Sequence, residues 1–302
     1  KQFEKQVSDI QLAIMGQTES ICPADKKLYS LRDVTGTVDS LPLICGSIMS
    51  KKLAEHITGL VLDVKFGSGA FMKTLEQAED LARLLKVTGE KNGLHVSVVF
   101  SNMDQPLGRF IGNGLEIKEC LDILNNKTCI ENGIDYYADT RDLSLILAGY
   151  MIFLGGKASS PEKGLDLANK ILCSGEALKK FTQVANFQGC KVLAPNVAAK
   201  HKFAVISEST GCVESMNCEE IGFLAIKLGA GRLKTSDIID HSAGIEMNCK
   251  IGQRLSKGHT LAYLYSSNAE VLSEVSNELL KLIKINPGGD GIEGPPLTAK
   301  VM

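Results

Sequence analysis

The chain reads as an α/β protein: a large, mostly parallel α/β domain that gives way, from about residue 200 to residue 302, to a β-rich α+β portion. Three observations carry this. GLVLDVKF at Gly59–Phe66 and LHVSVVFS at Leu94–Ser101 are near-continuous apolar runs of strand length, as expected of strands covered on both faces. Between them, Thr74–Lys91 places Leu75, Ala78, Leu81, Leu84 and Leu85 at helical spacing, and strand–helix–strand alternation predicts a parallel, covered sheet. Beyond residue 200 the apolar runs shorten and glycine-containing turns separate them.

KQFEKQVSDI opens the chain as an amphipathic helix and QLAIMG follows as a strand, as in the middle of an α/β unit. Ser40 is an N-cap with Pro42 in the first turn of a helix running to Leu53. The strand at Gly59–Phe66 ends in Gly67-Ser68-Gly69. After the second strand come an MDQPLG loop and a helix at Asn113–Leu124 with Asn113 as N-cap. Leu143–Leu154, Pro161–Cys173 and Gly175–Val184 read as helices. In the last third, Phe203–Ser207, Gly211–Glu214, Ala243–Glu246, Gly252–Leu255 and Thr260–Tyr265 read as strands, and Glu219–Lys227 and Glu270–Lys284 as helices. Pro287–Pro296, rich in glycine and proline, reads as a mobile tail.

Composition narrows the function classes. Hydrophobic residues make up 44% and charged residues 23%, and the formal net charge is −2, so no basic surface points to nucleic acid. No apolar run is long enough to span a membrane. Nine widely spaced cysteines without a C-x-x-C, and five scattered histidines, give no zinc or redox motif and read as reduced thiols in a cytoplasmic protein. No nucleotide P-loop follows the Gly67-Ser68-Gly69 turn.

The stretch PADKKLYSLRDVTGTVDSLPLICGSIMSKK holds the chemistry. Ser47 and Lys51 are i and i+4 on the helix after Ser40 and share a face, with Leu43 and Ile44 one turn before; Arg32 lies on the segment leading in. A rigid guanidinium fork, a mobile ammonium and a hydroxyl above an apolar floor suit a flat, carbonyl-bearing heterocycle that gains negative charge as it leaves. In the buried strand, Asp63 and Lys65 read as an internal charge pair, and Asp104 and Gln105 as structural loop residues.

This stretch, together with LVLDVKFGSGAFM, SNMDQPLGRFIGNGLEI, LGAGR and IGQRLSKGHTL, resembles the thymidine phosphorylase, or pyrimidine nucleoside phosphorylase, family in order over nearly the whole chain. The resemblance implies a large α/β domain (residues 1–22 and 54–302) and a small helical domain, of which residues 23–53 are one segment. It implies reversible phosphorolysis, thymidine plus phosphate to thymine plus 2-deoxyribose 1-phosphate, in pyrimidine nucleoside salvage. Arg32, Ser47 and Lys51 would hold the base, Arg32 and Lys51 acting catalytically, with Tyr29, Val38, Ile44 and Phe71 as walls. No cofactor is implied, since phosphate is a co-substrate, and the parent would be a homodimer. The family's phosphate loop, with its lysine-histidine-serine run, has no counterpart here, so the chain reads as a carboxy-terminal fragment lacking the amino-terminal third and inactive alone. The alternative is a non-catalytic pyrimidine-binding paralogue; an anthranilate phosphoribosyltransferase-like enzyme would lack the base-binding stretch. The segment IGQRLSKGHTLAYLYS resembles a biotinyl or lipoyl carrier hairpin but has no methionine-lysine-methionine attachment sequence.

Overall fold

The computed structural model describes residues 2–14, 16, 21–190, 198–232, 234, 236–289 and 291–302; Met15 of the QLAIMG stretch and Asp290 of the proline- and glycine-rich stretch lie outside them. Helix α1 (Gln2–Ile10) opens the chain, and residues 11–14 after it carry no strand. The backbone here is instead tied to residues distant in sequence: Gln188 donates to the Ile14 carbonyl and Lys180 to that of Ile10.

Helices α2 (Pro23–Thr35) and α3 (Leu41–Ala54) follow, then strand β1 (Gly59–Phe66), helix α4 (Leu75–Lys91) and strand β2 (His95–Asn102). Thr74 and Gln77 form a reciprocal capping box that starts α4. β1 and β2 pair in parallel from Gly59↔His95 to Phe66↔Asn102, with α4 as the crossover. Val64, Leu81, Leu85, Val98 and Phe100 build the core between this sheet and α4, and α3 buries Cys45 and Met49 in the same core. Ile44, Ile48 and Leu53 pack against it, so the apolar stripe of α3 is largely covered, with Leu43 left exposed.

The next part carries β3 (Phe110–Ile111), α5 (Asn113–Leu124), the small hairpin β4 (Ile130–Glu131) and β5 (Ile134–Asp135), then α6 (Ala138–Leu154), α7 (Pro161–Cys173) and α8 (Glu176–Phe187). Gly112, with φ 135°, is the residue that caps α5; Asn113 is already helical, and its side chain donates to the Ala230 carbonyl at 2.8 Å. α6 begins before Leu143 because its first turn is polar, and Asp139 there accepts from the Gly108 amide and from Lys250. α6 and α7 cross at two glycines: a Cβ on Gly164 would lie 2.2 Å from the Gly149 carbonyl oxygen.

The remaining elements are β6 (His201–Ile206), β7 (Gly211–Met216), α9 (Cys218–Ala225) running into a π-helical turn at Ile226–Ala230, β8 (Gly244–Met247), β9 (Arg254–Leu255), β10 (Thr260–Ser266), α10 (Glu270–Leu282), β11 (Ile283–Asn286) and β12 (Thr298–Val301). Two antiparallel sheets, in orders β3-β8-β10-β6 and β11-β7-β9, enclose a second core with α9 and α10. The helix expected to reach Lys284 stops at Leu282, because Ile283 is buried as the first residue of β11, paired with Met216. The expected tail is not a loose end. Gly294 lies against Gly252, and the chain then returns as β12 to pair antiparallel with β2. The parallel β1–β2 pair carries the α/β character; the other pairings among the described strands are antiparallel. No helix among the described residues is long and apolar enough to cross a membrane.

Candidate active site

α2 ends at Gly36, whose φ of 63° closes a left-handed cap onto the Arg32 carbonyl. The turn that follows places Val38 beside the last turn of α2, where Arg32 Nη2 donates to the Val38 carbonyl. Ser40 caps α3 through its extended backbone, with no side-chain hydrogen bond, and Pro42 sits in the first turn. These two caps set α2 and α3 side by side over β1.

Between them lies a cavity of about 490 Å³. α2 lines it with Tyr29 and Arg32, the turn with Val38, and α3 with Ile44, Ser47 and Ile48. The opposite wall is β1 from Leu62 to Lys65 and the loop from Gly69 to Met72, Phe71 included; Leu81 and Leu85 of α4 form the floor. Six of the seven residues singled out in the sequence therefore line one space. The seventh, Lys51, does not line it.

Lys51 is held by Asp25, in the first turn of α2, at 2.6 Å, and donates to Ser47 Oγ at 2.9 Å. Burial opposes ionisation of Asp25, but the hydrogen bond from Lys51, the nearby Ser47 hydroxyl and the charges of Lys51 and Arg32 hold its carboxyl below the ordinary value. Arg32 is 8% exposed, and its guanidinium sits 5.3 Å from the Tyr29 ring centroid. Arg32 Nε is buried with no hydrogen-bond partner. An orphaned donor on a buried cation is costly.

The Gly67-Ser68-Gly69 loop does not present free amides. Gly67 donates to the Met72 carbonyl, Ser68 to Asp104 Oδ1, Gly69 to the Met103 carbonyl and Ala70 to the Gly67 carbonyl. Gly67, with φ 116°, is required because a Cβ there would lie 2.7 Å from Asp104 Oδ1. The loop holds Phe71 at the cavity rather than cradling an anion. Asp63 and Lys65 are paired at 2.7 Å, both hydrogen-bonded to Ser101 across the β1–β2 register.

Sequence reasoning missed Asp25 and the floor residues Leu81 and Leu85. An acidic residue in the first turn of a helix is ordinary, and no local spacing links it to a lysine on the next helix. Leu81 and Leu85 were legible as core, which they also are. Among the described residues no group of three or more His, Cys, Asp or Glu is arranged to hold a metal ion.

The class this cavity and sheet define is matched by known proteins. Residues 1–178 match the family model described as the glycosyl transferase family, a/b domain, and residues 212–286 that of the pyrimidine nucleoside phosphorylase C-terminal domain. A pyrimidine-nucleoside phosphorylase of Staphylococcus haemolyticus is 42% identical over 288 residues, which cover 94% of this chain and 64% of that protein. One from Staphylococcus aureus (strain USA300) is 39% identical over 305 residues, covering 99% of this chain and 68% of that protein. The chain belongs to the pyrimidine nucleoside phosphorylase family. It spans about two thirds of the length of these relatives.

Proposed function

We propose that this chain provides the base-binding half of a pyrimidine nucleoside phosphorolysis site: nucleoside plus phosphate to free base plus pentose 1-phosphate, with thymidine as a substrate. The observation that carries it is the cavity in which the charged Arg32 and the hydroxyl-bearing Ser47 share a lining with an apolar wall that includes Phe71. A pyrimidine ring offers two carbonyl acceptors and two apolar faces to such a space. As the glycosidic bond lengthens, the sugar takes on oxocarbenium character and the ring gains negative charge. Arg32 stabilises that charge directly. Lys51 adds a positive charge behind Ser47. Contacts that strengthen as the charge develops lower the barrier rather than only the ground state. Phosphate is the co-substrate and no cofactor enters the reaction. A homodimer and a cytoplasmic location belong to the same proposal and rest on the resemblance, with nine free thiols in support of the second.

The test pairs binding with turnover. Thymine and uracil are titrated against the chain by ligand-observed NMR, and thymidine with saturating phosphate is assayed by thymine release. Saturable binding that is lost in Arg32→Ala is expected. An unchanged titration in Arg32→Ala would remove the base site from this cavity.

A further inference from the structure

Phe71 is 54% exposed, so the packing of its own ring does not hold it at the cavity it lines. Its place is set by the backbone of the loop from Gly67 to Met72. Backbone contacts shape that loop: Gly67 donates to the Met72 carbonyl, Gly69 to that of Met103 and Ala70 to that of Gly67. Ser68 is fixed further through side chains. Its amide donates to Asp104 Oδ1 at 2.8 Å, and its hydroxyl to the Met216 carbonyl at 3.2 Å. The bond to the carboxylate is the stronger of the two, being shorter and charge-assisted. Asp104 is itself aimed. Its amide donates to Asn102 Oδ1 at 2.7 Å, and Asn102 Nδ2 donates back to Asp104 Oδ2 at 2.8 Å. Both carboxylate oxygens are therefore engaged, and Asp104 does not line the cavity.

We propose that Asp104 is a positioning residue of the base site: clamped by Asn102, it fixes the loop at Ser68 and so holds Phe71 as a ready-made apolar wall for the pyrimidine ring. The inference rests on the base-site reading above. A wall ordered beforehand spares the ligand the entropy of ordering it. The clamp has a strict polarity. The amides of Ser68 and Asp104 can only donate, so each needs an oxygen, and the two side chains must join through one N–H···O contact. Exchanging them, Asn102→Asp with Asp104→Asn, meets the same demands with the charge moved by two residues. Neither change meets them alone. Asp104→Asn turns one amide NH2 against another when its oxygen stays on Ser68, and Asn102→Asp sets two carboxylates together.

The sequence contains no tryptophan, so Phe71→Trp installs a single fluorescent reporter at the wall. The experiment reads two quantities on the folded chain and its variants, each with a thermal melt: the dissociation constant of thymine, and the residual anisotropy of the reporter without ligand. Asp104→Asn is expected to weaken thymine about tenfold and to lower the residual anisotropy, because a loosened loop must be ordered on binding. The exchange with Asn102→Asp should return both to within about twofold of their starting values, and in a Phe71→Ala background Asp104→Asn should change the affinity by less than about twofold. A general structural role would give the same loss with and without the Phe71 ring, which overturns the proposal. So does an unchanged affinity or anisotropy in Asp104→Asn, or an exchange that fails to recover them. Should Asp104→Asn not fold, the exchange alone decides: it must fold and bind thymine as the wild type does, and failure in either overturns the inference. The underlying base site fails separately, as a wild-type chain that binds no thymine, and this outcome takes the recognition role of Asp104 with it. An anisotropy that ignores Asp104→Asn overturns the positioning whether or not thymine binds.

Discussion

Two buried arginines in this protein are treated in opposite ways. Arg109, 5% exposed, is surrounded: it pairs with Glu131 at 2.6 Å and Glu246 at 2.9 Å, donates to Asn248 and Cys129, and lies 5.2 Å from the Tyr136 ring centroid. Arg32, 8% exposed, donates to one backbone carbonyl and stacks near Tyr29; its carboxylate neighbour, Asp25, is engaged by Lys51. Both leave Nε buried and unpartnered, but only Arg32 lines the cavity described above. A guanidinium compensated by two carboxylates holds elements together: Arg109 ties β3 to β8 and to the β4–β5 hairpin. A guanidinium left short of acceptors is kept for something that comes and goes. Burial alone does not separate the two; the count of charges spent on each does.

The comparison can be broken most forcefully at Arg109. Arg109→Met removes the nearest cation from Glu246, whose side chain is 13% exposed, and is expected to cost about 3–5 kcal/mol of stability, read from urea denaturation. A loss as small as that of a surface substitution would show that the network is not structural. Arg32→Met should do the reverse. It should cost about 1 kcal/mol or less of stability, yet about 1.5–3 kcal/mol of thymine or uracil affinity, roughly ten- to 150-fold in Kd. Equal stability losses in the two variants would erase the distinction. The smallest effect concerns pH. Asp25 titrates below its ordinary value in the folded chain, so its contribution is complete above pH 3.8 and is lost as pH falls through the lower folded value. Wild type and Asp25→Asn should therefore differ in melting temperature at neutral pH and converge in strong acid; a gap that widens on acidification contradicts the assigned direction.

How much of this was legible follows the range of the forces involved. The β1–α4–β2 unit was visible because burial on both faces leaves a continuous apolar run and the covered face of α4 leaves apolar residues at helical spacing. Ser47 and Lys51 were visible as an i, i+4 pair, and the walls Tyr29, Val38, Ile44 and Phe71 through the family resemblance. Asp25 was not, because an ion pair between two helices is set by their packing. The polar opening turn of α6 and the strand β12 were missed for the same reason: Asp139 and Thr298 find their partners, Lys250 and Ser101, far away in the chain. The Gly67-Ser68-Gly69 amides are spent on Met72, Asp104 and Met103, and the last two lie on the loop after β2, beyond the reach of any local spacing.

β12 has one more consequence. Its pairing joins Thr298 to Ser101, about two hundred residues apart in the chain. On a ribosome adding roughly 5–20 residues per second, the outer edge of β2 would wait about 10–40 seconds for its partner. During that interval Val98, Val99 and Phe100, fully buried in the finished fold, lie along an unpaired strand edge. Sheet completion is thus a late, long-range event, and the nascent chain meets an aggregation hazard at a strand that the mature protein hides.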